Sequence, residues 1–317
     1  MSNSGGSSSN GSGSAQALSR SLEKVLEEAQ LTGVLSLCNR NLKEFPSAAA
    51  ANYDLSDTVT ADLERNRLRE FPVALCECVS LETLLLYHNS IRHIAPAVQY
   101  LESLTYLDLS RNQLQYIPSE MCQLPLEVLL LSRNHLESLP ASLDRLAPTL
   151  LELDVSCNRL TGLPLQLGSL YKLRVLNARQ NMIAELPFES VCGLRWLEHL
   201  DVSGNQITHL SLELQELRRI KELHLENNPL VSPPAKECQR GVVHTFKWLE
   251  VEANRKAKRA RGNQLPHSYW QSSHHQNNHA AGAANRYASL QRNTYGIERS
   301  SVHRQPLQMP DTNWRNG

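Results

Sequence analysis

Eight asparagines recur along the chain at an almost constant step. Asn66, Asn89, Asn112, Asn134, Asn158, Asn181, Asn205 and Asn228 are separated by 23, 23, 22, 24, 23, 24 and 23 residues. Each occupies the same place in a stretch of one grammar, as in "LTYLDLSRNQLQYIP", "LEVLLLSRNHLESLP", "LLELDVSCNRLTGLP" and "LRVLNARQNMIAELP". Two aliphatic residues alternate across a single position, the asparagine follows, and a Leu-Pro or Ile-Pro closes the run. A unit of this size cannot bury its own apolar face, so the units must stack and share one continuous core. An outlying first copy, "LSLCNRNLKEFP", carries Arg40 where the asparagine belongs. With it, about nine copies fit between Leu35 and Pro234.

The period lies in the leucine-rich-repeat range of roughly 20 to 29 residues. The fold class is therefore α/β: a leucine-rich-repeat solenoid with a curved parallel sheet and helical caps at both ends. Each L-x-L forms a short strand whose two leucines face inward. The asparagine turns inward after it, where its amide can satisfy backbone groups freed by the turn. Prolines such as Pro72, Pro118, Pro140, Pro164 and Pro187 fix the start of each return segment. The stretch "SAAAANYDLSD" lengthens the first return and predicts a bulge or small helix there.

An open array exposes leucines at its ends, and each end needs a cap. "LSRSLEKVLEEA" places Leu18, Leu22, Val25, Leu26 and Ala29 on one helical face, so residues 18–34 are assigned to an N-terminal cap helix starting near Ser21. Its alternative is a detached partner-binding helix. After Pro233-Pro234, residues 235–253 place Val242, Phe246 and Leu249 on one face, with Val243 beside them, and read as the C-terminal cap. Trp248 is expected to pack on the last repeat. Residues 1–17 read as a disordered Gly/Ser-rich leader and residues 254–317 as a basic disordered tail.

Charge divides along the same boundary. Net formal charge is zero, yet the last 64 residues hold ten Lys/Arg against two Asp/Glu. The run Arg255, Lys256, Lys258, Arg259 and Arg261 reads first as the solvated continuation of a helix. It can also touch an anionic membrane surface weakly, bind a partner or act as an import signal. It has no interleaved aromatics, and no nucleic-acid partner is expected. His274, His275 and His279 are too weak a cluster to assign a metal. Seven scattered cysteines fit thiols of a reducing compartment. There is no apolar run of membrane-spanning length, no signal-peptide pattern, and none of the phosphate-loop, nucleophile-elbow or zinc-helix motifs. The chain is read as a non-enzyme with no cofactor and no metal.

Binding is the remaining role, and the positions flanking the strand leucines are free to carry it. Leu85, Tyr87, Tyr106, Val128 and Leu130 form an apolar area in the first half of the array, rimmed by His88, Arg111 and Arg133. An aromatic patch beside arginines has the composition of a protein hot spot; lateral packing of those side chains within their columns is the alternative. Asp108, Asp154 and Asp201 form an acidic line, fitted either to a basic partner or to turn bonding and solubility. Arg179 completes the candidate protein-binding residues on this face.

The combination "SLEKVLEEAQLTGVLSLCNRNLKEFP", "YDLSDTVTADLERNRLREFP" and "LETLLLYHNSIRHI", with "ENNPLVSPPAKEC" and "HTFKWLEVEA" at the array end, resembles the leucine-rich repeat and calponin-homology domain family over residues 18–253. That resemblance implies a cytoplasmic adaptor of the cortical actin cytoskeleton, concerned with cell shape and division, with partners such as ezrin-radixin-moesin proteins or regulators of Rho-type GTPases. The competing expectation is a signalling scaffold that binds small GTPases or their regulators. The residues after Ala253 are too few and too polar for the family's calponin-homology domain, so the sequence is read as either a short form lacking it or a fragment, which puts direct actin contact through that domain in doubt.

Overall fold

The computed structural model describes residues 11–191 and 193–262. Nine three-residue strands run in chain order in one open parallel sheet: β1 Val34–Ser36, β2 Thr60–Asp62, β3 Thr83–Leu85, β4 Tyr106–Asp108, β5 Val128–Leu130, β6 Glu152–Asp154, β7 Val175–Asn177, β8 His199–Asp201 and β9 Glu222–His224. Register is one repeat per step, as in Tyr106 beside Val128 and Asp108 beside Leu130. The strands are short because the two-residue alternation lasts only for L-x-L. In β2 to β8 the middle residue is buried and its two neighbours are half-buried, as the pleat requires.

Most returns are single 3-10 turns begun by the residue after the proline, such as Val73–Glu77, Ser119–Gln123, Ala141–Leu146 and Leu165–Ser169. The lengthened first return holds the expected helix, α2, Ser47–Ala50, and α3 covers Phe188–Val191. Strands about 4.8 Å apart on one side face bulkier turns on the other, which bends the array with the strand face concave.

The asparagines form a shared ladder along the spine. Asn134 Oδ1 accepts from the N–H of Leu114 at 3.0 Å, and its Nδ2 donates to the carbonyls of Leu109 and Leu131, each at 3.0 Å. The Leu131 carbonyl then accepts a second amide proton, from Asn158 at 3.0 Å. The same double acceptance recurs at Leu86, Leu109, Val155, Ala178 and Val202. Arg40 does not enter the ladder; its guanidinium bonds Ser21 Oγ, and Asn66 Oδ1 takes the Arg40 and Leu42 N–H groups.

Both ends are covered by helices whose limits differ from the sequence reading. Helix α1 spans Gly11–Thr32, beginning within the segment read as leader, and Val34 already belongs to β1. The helix stops where Gly33 takes φ +71° and donates to the Ala29 carbonyl at 2.8 Å, a left-handed cap that glycine adopts without strain. Leu26 and Ala29 are buried, and Leu22 and Val25 pack against the core. At the far end, α4 is Ala235–Cys238 and α5 is Val242–Gly262. Leu249 is fully buried and Val242, Phe246 and Trp248 pack on the core, while Val243 is 77% exposed and takes no part. The helix runs past Ala253 through the basic segment, because Ala, Lys and Arg are strong helix formers that extend a helix already anchored by packing. Residues 1–10 and 263–317 lie outside the described residues, and so do the remaining readings of the leader, the tail and its histidines.

Candidate protein-binding face

The strand face presents three columns. Thr60, Thr83, Tyr106, Val128, Glu152, Val175, His199 and Glu222 open the strands; Asp62, Leu85, Asp108, Leu130, Asp154, Asn177, Asp201 and His224 close them. Tyr87 and Arg179 lie in the third column, two residues further on.

The structure brings Leu85, Tyr87, Tyr106, Val128 and Leu130 onto β3 to β5 and the turns that follow, all half-buried. The area is not purely apolar, since register places Asp108 between Leu85 and Leu130. Burial raises the Asp108 pKa; hydrogen bonds from Ser110 oppose the rise and Asp154 adds to it. Tyr106 is raised too, by burial and then by Asp108, Glu152 and Glu64. Arg111 holds its guanidinium 5.6 Å from the Tyr87 ring centroid, and the His88 ring meets the same tyrosine edge-on at 5.9 Å. A rigid aromatic is thus flanked by two cationic or polar groups.

The acidic line has a structural duty at each member. Asp108, Asp154 and Asp201 accept from the N–H of Ser110, Ser156 and Ser203 at 2.8, 2.8 and 2.9 Å. Asn177 does the same for Arg179 at 3.2 Å. Such turns use either Asp or Asn, so the D-x-S spacing was a legible signal for turn bonding. Leu130 and Asn177 interrupt the line. Arg179 is exposed and separated from the apolar area by β6, so it does not join it.

Asp108 has a raised folded pKa, so its contribution to stability is complete below the unfolded pKa and is lost as pH rises through the folded value. Asp108→Asn keeps the acceptor for Ser110, as Asn177 shows at its own turn, and removes the charge. We expect the variant to match the parent at about pH 4 and to exceed it at neutral pH, in denaturant midpoints measured across that range.

His88, Arg111 and Arg133, the expected rim residues, share one backbone feature with their column. The residue before each ladder asparagine is left-handed: Arg65, His88, Arg111, Arg133, Cys157 and Gln180 have φ of 53°, 58°, 54°, 56°, 55° and 53°. Gly204 and Asn227 in the same column were the legible hint, because they are the residues that take this conformation most readily. The conformation turns these side chains off the strand and onto its edge. There Arg65, Arg67, His88 and Arg111, with Tyr87, Asn39 and Asn41, line one shallow depression; Arg65, Arg67, Asn39 and Asn41 were not singled out from sequence. The basic residues Arg255, Lys256, Lys258 and Arg259 are exposed on α5, and Arg261 lies on the same helix. Among the described residues, no group of three or more His, Cys, Asp or Glu could hold a metal ion, and no helix is long and apolar enough to cross a membrane. Burial raises the thiols of Cys76 and Cys78 to about 11 each.

Comparison with known proteins agrees with this architecture. A family model described as leucine rich repeat matches residues 79–136 and 148–207. A leucine-rich repeat and calponin homology domain-containing protein of Drosophila melanogaster is 52% identical over 244 residues, covering 77% of this chain and 30% of that protein. The mouse DISP complex protein LRCH3 is 49% identical over 235 residues, covering 74% of this chain and 30% of the relative. The chain therefore spans under a third of the length of these relatives. Among solved structures, the plant peptide hormone receptor RGFR1 in complex with RGF2 is 26% identical, with a TM-score of 0.52 over 59% of this chain and 30% of the receptor. A Listeria monocytogenes internalin is 20% identical, with a TM-score of 0.56 over 65% of this chain and 58% of its own, and shares the fold.

Proposed function

Because the repeat array of this chain belongs to the leucine-rich repeat and calponin-homology domain family, we propose that the chain is a non-catalytic protein-binding adaptor of the cortical actin cytoskeleton, acting in cell shape and division. The observation that carries the binding role is the half-buried group Leu85, Tyr87, Tyr106, Val128 and Leu130 on β3 to β5, edged by Arg111 and His88. The repeat needs none of these side chains for its core, which is built from the alternate positions. Rigid aromatic and aliphatic surface beside arginine is what a partner can dehydrate at low entropic cost. The name of the mouse relative, a DISP complex protein, supports membership of a multi-protein assembly. Ezrin-radixin-moesin proteins and regulators of Rho-type GTPases are the partner classes proposed. A cytoplasmic, cortical location follows from that role, and the exposed basic residues of α5 supply a weak contact with anionic lipid there.

Quantitative capture of cytosolic partners on the whole chain tests this. The parent should retain cortical actin-linked proteins, and a folded variant with Tyr87→Ser, Tyr106→Ser and Leu130→Ser should lose them. Retention of GTPase regulators alone would replace the adaptor reading with that of a signalling scaffold. Equal retention by parent and variant would remove this face as the site.

A further inference from the structure

The depression beside the patch has a composition that protein binding in general does not require. Three guanidiniums, those of Arg65, Arg67 and Arg111, line it together with His88, and no carboxylate residue is among its walls. Among the described residues, the ion pairs within 4.0 Å lie in the last repeats or in the segment from α4 through α5; none engages these three arginines. The acid that feels Arg65 is Glu64, whose pKa is raised by burial and by Asp62 and Asp108 and is only eased by that arginine.

The backbone beneath the cluster is rigid. Arg65, His88 and Arg111 each donate their N–H across to the next repeat, to Tyr87, Ser110 and Ser132, at 2.8, 2.9 and 2.8 Å. Arg67 donates to the Leu42 carbonyl at 2.8 Å. The left-handed column sets Arg65 and Arg111 on either side of His88, two strand spacings of about 4.8 Å apart, and Tyr87 holds Arg111 over its ring. The guanidiniums of Arg65, Arg67 and Arg111, gathered in one depression, repel one another, and an anion placed among them relieves the repulsion. The column turns neutral at Cys157, Gln180, Gly204 and Asn227, so the feature is confined to the early repeats.

We propose that this depression binds a phosphorylated serine or threonine on an extended segment of a partner protein, a reading that rests on the protein-binding role above. A phosphate monoester carries nearly two negative charges and three acceptor oxygens, which several guanidinium forks can engage at once; one carboxylate would leave much of the positive charge unmatched. The neutral amides of Asn39 and Asn41 and the Ser90 hydroxyl complete the wall with groups able to bond the segment's backbone.

The test is fluorescence anisotropy with the whole chain and a labelled degenerate peptide pool fixed at a central phosphoserine, beside the same pool carrying serine and vesicles containing phosphatidylserine. The phosphorylated pool should bind in preference, weaken with added salt, and lose at least about tenfold in affinity in Arg65→Gln and Arg111→Gln, the loss of a charge-assisted hydrogen bond. Arg145→Gln, which removes an exposed arginine on the return Ala141–Leu146, should leave that affinity unchanged. Equal binding of the two pools, no binding of either, or indifference to both arginine substitutions would overturn the proposal. So would arginine-dependent binding to vesicles but not to the phosphorylated pool. Partner capture that is lost in the patch variant and intact in the arginine variants would leave the adaptor reading standing while this site falls.

Discussion

Asn134→Ala should destabilise the array by about 2 to 3 kcal/mol, and pairing it with Asn158→Ala should cost more than the sum of the two single changes. The single substitution leaves the buried N–H of Leu114 without its acceptor. The Leu109 and Leu131 carbonyls each keep one amide donor, from Asn112 and Asn158. In the double variant the Leu131 carbonyl loses both the 3.0 Å bond from Asn134 and the 3.0 Å bond from Asn158, and a buried acceptor is orphaned. The excess is a coupling carried by one shared atom. Asn89 and Asn205 share no carbonyl, so their double variant should be additive. Urea denaturation of the four proteins in each cycle measures both. Additivity at the 134/158 pair would mean that the ladder bonds act independently.

The second large effect lies at the C-terminal cap. Leu249→Ala should cost about 2 to 4 kcal/mol, and the loss should be local. Leu249 is fully buried on α5, over the last repeat, whose Leu214, Leu217, Ile220 and Leu225 are the core residues nearest that end. In a solenoid each repeat is held by its neighbours, so weakening the cap lets the end open without unfolding the middle. Hydrogen exchange should quicken at the amides of β8 and β9 and stay unchanged at β3 to β5. A uniform rise along the array would show instead that the repeats unfold as one unit.

The two cases also show what the sequence could and could not display. The asparagine step and the alternating leucines report buried positions, and burial is what a repeat must preserve, so strand number, register and ladder were legible. The first ladder break was legible as well, because Arg40 cannot replace an amide. The ends were harder. A helix limit is set by propensity after the last packed residue, so α5 ran through Arg255 to Gly262 although packing ends near Leu249. On the strand face, the aspartates fitted either a basic partner or turn bonding, and each is tied to the N–H two residues ahead. The cationic depression was hidden because it depends on the left-handed backbone of Arg65, His88 and Arg111, and side-chain identity at those positions does not announce φ.

The β3 to β5 face is proposed as the place where a partner binds. It is tested most directly by calorimetry of one purified cortical partner against the parent and the folded Tyr87→Ser, Tyr106→Ser, Leu130→Ser variant. If these side chains are the anchors, affinity should fall by about a hundredfold or more, the scale of losing a hot-spot cluster. An unchanged dissociation constant would contradict the claim and move the binding surface elsewhere on the array.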